Sequence, residues 1–150
     1  MAGIKRLLTA LKRIFGKSDA PLPHRAAVGR RGEDAAARLL KGKGYKILER
    51  NYRTVRGEID LIVFRDGIVA FVEVRSQTQP AEMDPVYTVT PRKQARVIHA
   101  ACAYLSERAP LPPNALLRFD VITVRFAPNG SRQDIRHIES AFEAPARGFS

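Results

Sequence analysis

Two periods of hydrophobic recurrence run along the chain, and the changes from one to the other mark its elements. Residues 4–15, "IKRLLTALKRIF", have helical spacing: Ile4, Leu7, Leu8, Leu11, Ile14 and Phe15 fall on one arc, with Lys5, Arg6, Lys12 and Arg13 opposite. Residues 16–24 read as a linker. Helical spacing returns from about Ala26 to Lys41 and stops at Gly-Lys-Gly. Val28, Ala35, Ala36, Leu39 and Leu40 form its buried stripe, while Arg30, Arg31, Asp34, Arg38 and Lys41 face out. Glu33 borders the stripe beside Leu40. It is either a partly inward carboxylate or a solvated first-turn glutamate favoured by the helix dipole.

The period then shortens. Residues 45–52 read as a strand, and residues 57–75, "GEIDLIVFRDGIVAFVEVR", as two more around a turn. Residues 76–89 are expected to be a long loop. Thr90 then offers an N-cap with Pro91 at the first helical position. This helix runs to about Arg108 and buries Val97, Ile98, Ala101 and Leu105, with Lys93 one turn before Val97 on the same face. Residues 116–126 and 133–142 are strands, separated by "APNG", and the end is frayed. The order is helix, three strands, helix, two strands, an α/β pattern. The expected division is a basic helix and linker over 1–24, a domain over 25–143 and a disordered tail over 144–150.

Asp66-Gly67 between apolar runs predicts a type I′ hairpin, because both central residues of that turn need positive φ. Arg65 then faces Ile68, Asp60 faces Glu73, and Glu58 faces Arg75. Ile59, Leu61 and Val63, with Ala70, Val72 and Val74, form the opposite, uninterrupted apolar face. In that register the Cβ atoms of Asp60 and Glu73 are roughly 5 Å apart. Two carboxylates so close require a proton on one or a cation between them. Magnesium is one solution, since it takes one or two carboxylates plus water and phosphate. The plainer alternative is a set of ion pairs, Glu58 with Arg75 and Asp60 with another base.

Composition narrows the partners. The 150 residues carry a net charge of +11 with 45% hydrophobic residues, which fits one domain with a core and a polyanionic partner, nucleic acid or an anionic membrane surface. The charge is uneven: residues 1–31 hold eight Lys or Arg against one Asp. Cys102 is the only cysteine, which excludes an internal disulfide framework and a Cys-based zinc site. His24, His99 and His137 show no metal-ligand spacing and read as surface or helix histidines. The helix over 4–15 lacks the apolar run of a secretory signal and, at about 18 Å, is too short to cross a bilayer. A cytoplasmic location is expected.

The stretches "GRRGEDAAARLLKGKGYKILERNYR", "GEIDLIVFRDGIVAFVEVR", "RKQARVIHAACAYL" and "LRFDVITV" cover most of residues 29–125. With Asp60, then Glu73-Val74-Arg75 after a hairpin and Glu33 on the preceding helix, they resemble the PD-(D/E)xK nuclease superfamily. The likeness is to its YraN-like uncharacterised bacterial branch, which is similar to archaeal Holliday-junction resolvases. The resemblance implies a restriction-endonuclease-like mixed sheet. It also implies a magnesium ion, with manganese as substitute, held by Asp60, Glu73 and the Val74 carbonyl, with Glu33 in support. The implied reaction is hydrolysis of a phosphodiester in branched or nicked DNA, by a protein that resolvase-like pairing of cuts would make a homodimer. Arg30, Arg31, Arg56, Arg92, Lys93 and Arg96 are the expected nucleic-acid contacts. Arg75 departs from the lysine of the pattern. Arginine stays charged and can stabilise a phosphate but cannot take a proton from water, so Lys93 is the alternative base. A non-catalytic nucleic-acid-binding protein on this fold, and a membrane-surface adaptor using the first helix, are the competing readings.

Overall fold

The computed structural model describes residues 24–108 and 111–146. The helix expected over 4–15, its linker up to residue 23 and the last residues of the tail lie outside the described residues. Helix α1 (His24–Gly42) is followed by strands β1 (Lys46–Arg53), β2 (Glu58–Arg65) and β3 (Ile68–Thr78), a 3-10 turn (Pro85–Thr88), helix α2 (Pro91–Glu107), and strands β4 (Leu116–Phe126) and β5 (Arg132–Phe142). The strands form one sheet in the order β1-β2-β3-β4-β5. Only β3 and β4 are parallel; the other neighbours are antiparallel. A parallel pair needs a crossover, and α2 supplies it.

Each helix covers one face of the sheet. On the α1 side, Val28, Ala35, Ala36 and Leu40 pack with Leu61, Val63, Ala70, Val72, Ile122 and Val124. On the α2 side, Val97, Ile98, Ala101 and Tyr104 pack with Ile62, Val69, Phe71 and Phe119. The three layers are consistent with the restriction-endonuclease-like fold, and the doubly covered central strands explain why β2 and β3 are apolar on both faces. Buried Ala37 and Tyr104 widen the two predicted stripes, and Leu39 and Leu105 are only partly buried.

The hairpin turn forms as its residues require. Asp66 and Gly67 both have positive φ, 49° and 78°, and the ladder runs from Arg65–Ile68 to Leu61–Val72. There it stops. Beyond it, β2 stays paired with β1 as far as Arg53–Glu58, whereas β3 follows β4 as far as Thr78–Phe126. The sheet forks at Asp60 and Glu73. Two expectations change at the fork. Ile59 joins the α2-side cluster instead of Leu61 and Val63, since a strand released from its neighbour is free to twist. The first part of the expected 76–89 loop is strand, because β4 supplies partners to Thr78.

Two glycines fix how closely the helices approach. A Cβ on Gly57, in the β1–β2 turn, would stand 2.0 Å from the Arg96 carbonyl oxygen in α2. A Cβ on Gly32 in α1 would stand 1.7 Å from Ser76 Oγ in β3. Bare backbone at these two points lets α1 and α2 close on the fork from opposite sides.

Candidate active site at the fork

The fork opens a cleft of about 670 Å³ whose lining includes Glu33, Glu58, Asp60, Glu73, Val74, Arg75 and Lys93. Each element delivers its part. β2 brings Asp60 and β3 brings Glu73, Val74 and Arg75. Glu33 comes from α1 next to the tight Gly32 contact, and Lys93 from the first turn of α2. That turn is fixed by the Thr90 cap, whose Oγ1 accepts from the Lys93 N–H at 3.3 Å, with Pro91 following.

At the fork the Val74 N–H donates to Asp60 Oδ2 at 2.7 Å. An extended residue points its N–H and C=O to the same side, so the Val74 carbonyl faces β2 as well. Glu73 is 2% exposed, and two cations approach its Oε1: Lys93 Nζ at 3.1 Å and an Arg75 guanidinium nitrogen at 3.6 Å. Arg75 Nε also donates to Thr88 Oγ1 at 2.6 Å. Burial, then the Glu73 charge, push the Asp60 carboxyl well above the usual range, with Glu33 adding in the same direction against the Val74 N–H and Lys93. Burial likewise raises Glu73, although Lys93 and Arg75 oppose it. The pocket therefore carries more negative charge than its environment tolerates, and a proton or another cation would relieve it.

Several placements differ from the sequence reading. Glu58 does not pair with Arg75 across the strands. With the ladder ended, it meets Arg53 at 3.5 Å and Arg75 turns to Glu73 and Thr88. Of the expected nucleic-acid contacts only Lys93 lines the cleft. Arg30, Arg92 and Arg96 are exposed on the helices. Arg31 lies over the Phe126 ring, 4.6 Å from its centroid, and donates to the Gly130 carbonyl. Arg56 borders a separate groove with Pro91, Gln94 and Ile98. Pro85 and Thr88 line the cleft too, and no sequence signal marked them inside an apparent loop. His137 is not a surface histidine. Its side chain is 1% exposed, and Nε2 lies 2.8 Å from Asp120 Oδ2.

The donor set suits a hard divalent cation only in part. Among the described residues no group of three or more His, Cys, Asp and Glu side chains forms a metal cage. Magnesium does not demand one, because one or two carboxylates suffice when water and phosphate complete the shell. Asp60 and Glu73, two carboxylates whose charged forms burial disfavours, meet that lesser requirement. Among the described residues no helix is long and apolar enough to cross a membrane.

A family model described as "Uncharacterised protein family UPF0102" matches residues 32–124, more than half the chain. Similar proteins named "UPF0102 protein" come from several bacteria. One from Clostridium perfringens is 40% identical over 116 residues, 77% of this chain and 93% of its own length. One from Anaeromyxobacter dehalogenans is 43% identical over 124 residues, 82% of this chain and 89% of its own. One from Rhodopseudomonas palustris is 42% identical over 130 residues, 85% of this chain and 94% of its own. The matched span contains Glu33, Asp60, Glu73, Arg75 and Lys93.

Proposed function

The chain belongs to the uncharacterised protein family UPF0102, a branch of the PD-(D/E)xK superfamily, and from that membership and the fork we propose that it is a magnesium-dependent endonuclease acting on branched or nicked DNA. The observation that carries the proposal is the meeting of Asp60 and Glu73, both with raised pKa, against Lys93 and Arg75 in a solvent-open cleft. Such a mixture of buried carboxylates and cations suits phosphate chemistry.

Asp60, Glu73 and the Val74 carbonyl would hold the ion, which when bound polarises the phosphate and makes water a better nucleophile. The chain's own groups do the rest. The Val74 N–H fixes the Asp60 carboxylate and leaves Oδ1 free of that bond. Arg75, anchored through Nε by Thr88, keeps a permanent positive charge at the phosphate. Lys93 Nζ, 3.1 Å from Glu73, is a basic group of the cleft able to exchange a proton, and with Glu73 neutralised by an ion it would be free to turn towards a water at the phosphate.

One observation favours a second reading. Lys93 already stands where a cation would offset Glu73, as a non-catalytic nucleic-acid-binding protein would need. A panel of branched, nicked and linear DNAs incubated with magnesium, manganese or chelator separates the two. Metal-dependent cuts that vanish in Asp60→Asn and Glu73→Gln support the nuclease. Binding by wild type without cuts under any metal supports the binding protein.

A further inference from the structure

The chain has four tyrosines. Tyr45, Tyr52 and Tyr104 are buried, but Tyr87 is 73% exposed. An exposed tyrosine on a loop is ordinary; the support beneath this one is not. Tyr87 belongs to the Pro85–Thr88 turn, and Pro85 and Thr88 line the cleft. The Asp84 side chain caps the turn through the Val86 N–H at 3.1 Å, and the Tyr87 N–H donates to the Asp84 carbonyl at 3.1 Å. Asp84 is tied to the sheet by Arg125 at 2.5 Å and by Arg136. Thr88 donates to the Pro85 carbonyl at 2.6 Å and accepts from Arg75. Earlier in the loop, Gln77 holds the carbonyl of half-exposed Met83 at 2.8 Å. The backbone under the ring is thus already ordered, so covering the ring would cost little further entropy.

What would cover it follows from its surroundings. The adjoining cleft sets Arg25, Arg75 and Lys93 beside the carboxylates of Glu33, Glu58, Asp60 and Glu73, so once a cation offsets those carboxylates, as the proposed function requires, the occupant there is anionic, and the neighbouring ring asks for a flat apolar face. A nucleic-acid strand offers both, but a base inside a duplex is stacked on both sides. Away from the end of a duplex, only an unpaired base can turn a free face to a side chain.

We infer that Tyr87 is a stacking platform for an unpaired base beside the phosphate held in the cleft. The inference rests on the proposed nuclease reading and narrows its substrate class to nucleic acids with an unpaired nucleotide next to the bound phosphate, as at a flap or a gap.

The test uses the full chain, in chelator and in calcium, with a duplex and the same duplex carrying a single-stranded flap. Wild type is expected to prefer the flap. Tyr87→Ala should weaken flap binding roughly fivefold to a hundredfold, the scale of one base–aromatic stack, with duplex affinity unchanged. Tyr87→Phe should keep the preference. Because the chain has no tryptophan, Tyr87→Trp gives a unique fluorophore, which the flap should quench and the duplex should not. An undiminished preference in Tyr87→Ala, equal binding of both DNAs by wild type, or equal quenching by both overturns the platform alone. A wild type that binds neither DNA in either buffer overturns the nuclease reading with it.

Discussion

At the scale of single residues, the raised carboxylates have a direct consequence for stability. An acid whose pKa is higher in the folded chain holds its proton more tightly there than in the unfolded chain. Stability therefore falls as pH rises from the ordinary carboxylate range through the raised values, and the penalty is complete above them. Asp60→Asn should raise the metal-free melting temperature at pH 8, and the gain should disappear below about pH 4, the unfolded carboxylate value. Magnesium should stabilise wild type more at pH 8 than at pH 6, because protons compete for the same oxygens, and should leave Asp60→Asn unmoved. Equal magnesium shifts in the two proteins would place any ion elsewhere. The cations divide by chemistry. On the proposed nuclease reading, with Arg75 acting only as a charge stabiliser, Arg75→Lys should retain or increase turnover, whereas Arg75→Ala should lose about a hundredfold. If Lys93 handles a proton, Lys93→Ala should be equally damaging and Lys93→Arg should not restore it. Cleavage recovered by Lys93→Arg would reduce Lys93 to a charge. The acids could be read in the sequence because one turn, Asp66-Gly67, fixes their register. Thr88 could not, since its value to Arg75 depends on how a 3-10 turn folds back over the strand end.

At the scale of elements, positions are set by close contacts that substitutions can break. Gly57→Ala forces its methyl group against the Arg96 carbonyl, backbone against backbone. It should cost about 1–3 kcal/mol and displace α2, so cleavage should fall further than the lost stability explains, as Lys93 moves from Glu73. Unchanged melting and turnover would show that α2 can give way freely. A second brace lies away from the cleft. Between Phe119–Phe142 and Val121–Ile138 the β4–β5 ladder breaks register at Asp120. There Asp120 accepts from the Ser140 N–H at 3.1 Å, from Arg118 and from His137. Burial alone would raise the Asp120 pKa, but the hydrogen bonds from His137 and Arg118 outweigh it and hold it below the usual range. That contribution is present above the ordinary aspartate range and is lost as pH falls through the depressed value. Asp120→Ala should cost about 3–5 kcal/mol near neutrality, because buried His137 and the Ser140 N–H lose their acceptor and Arg118 is left with Glu139 and Tyr45, and denaturant unfolding at pH 7 checks it. The strand pattern of β5 was plain in the sequence. The burial of His137 was not, because its partner is on another strand and is reached only through the break in register.

At the scale of the whole molecule, alternation and helical spacing were enough to order the described elements, since each strand and helix carries its own period. What they could not show was the fork, where two strands remain strands while ceasing to be neighbours. That is decided by β1 and β4, the outer partners that each inner strand follows. The parallel pairing of β3 with β4 also bears on the order of assembly. The hairpin closes over a two-residue turn and can form early, whereas β4 must wait for the whole α2 crossover. Until then Asp60 and Glu73 stand on adjacent strands without Lys93. In the hairpin alone both carboxylates still face water, which weakens their repulsion; burial by the closing helices removes that screening, so uptake of a proton or a divalent cation would be coupled to the last step of assembly rather than the first.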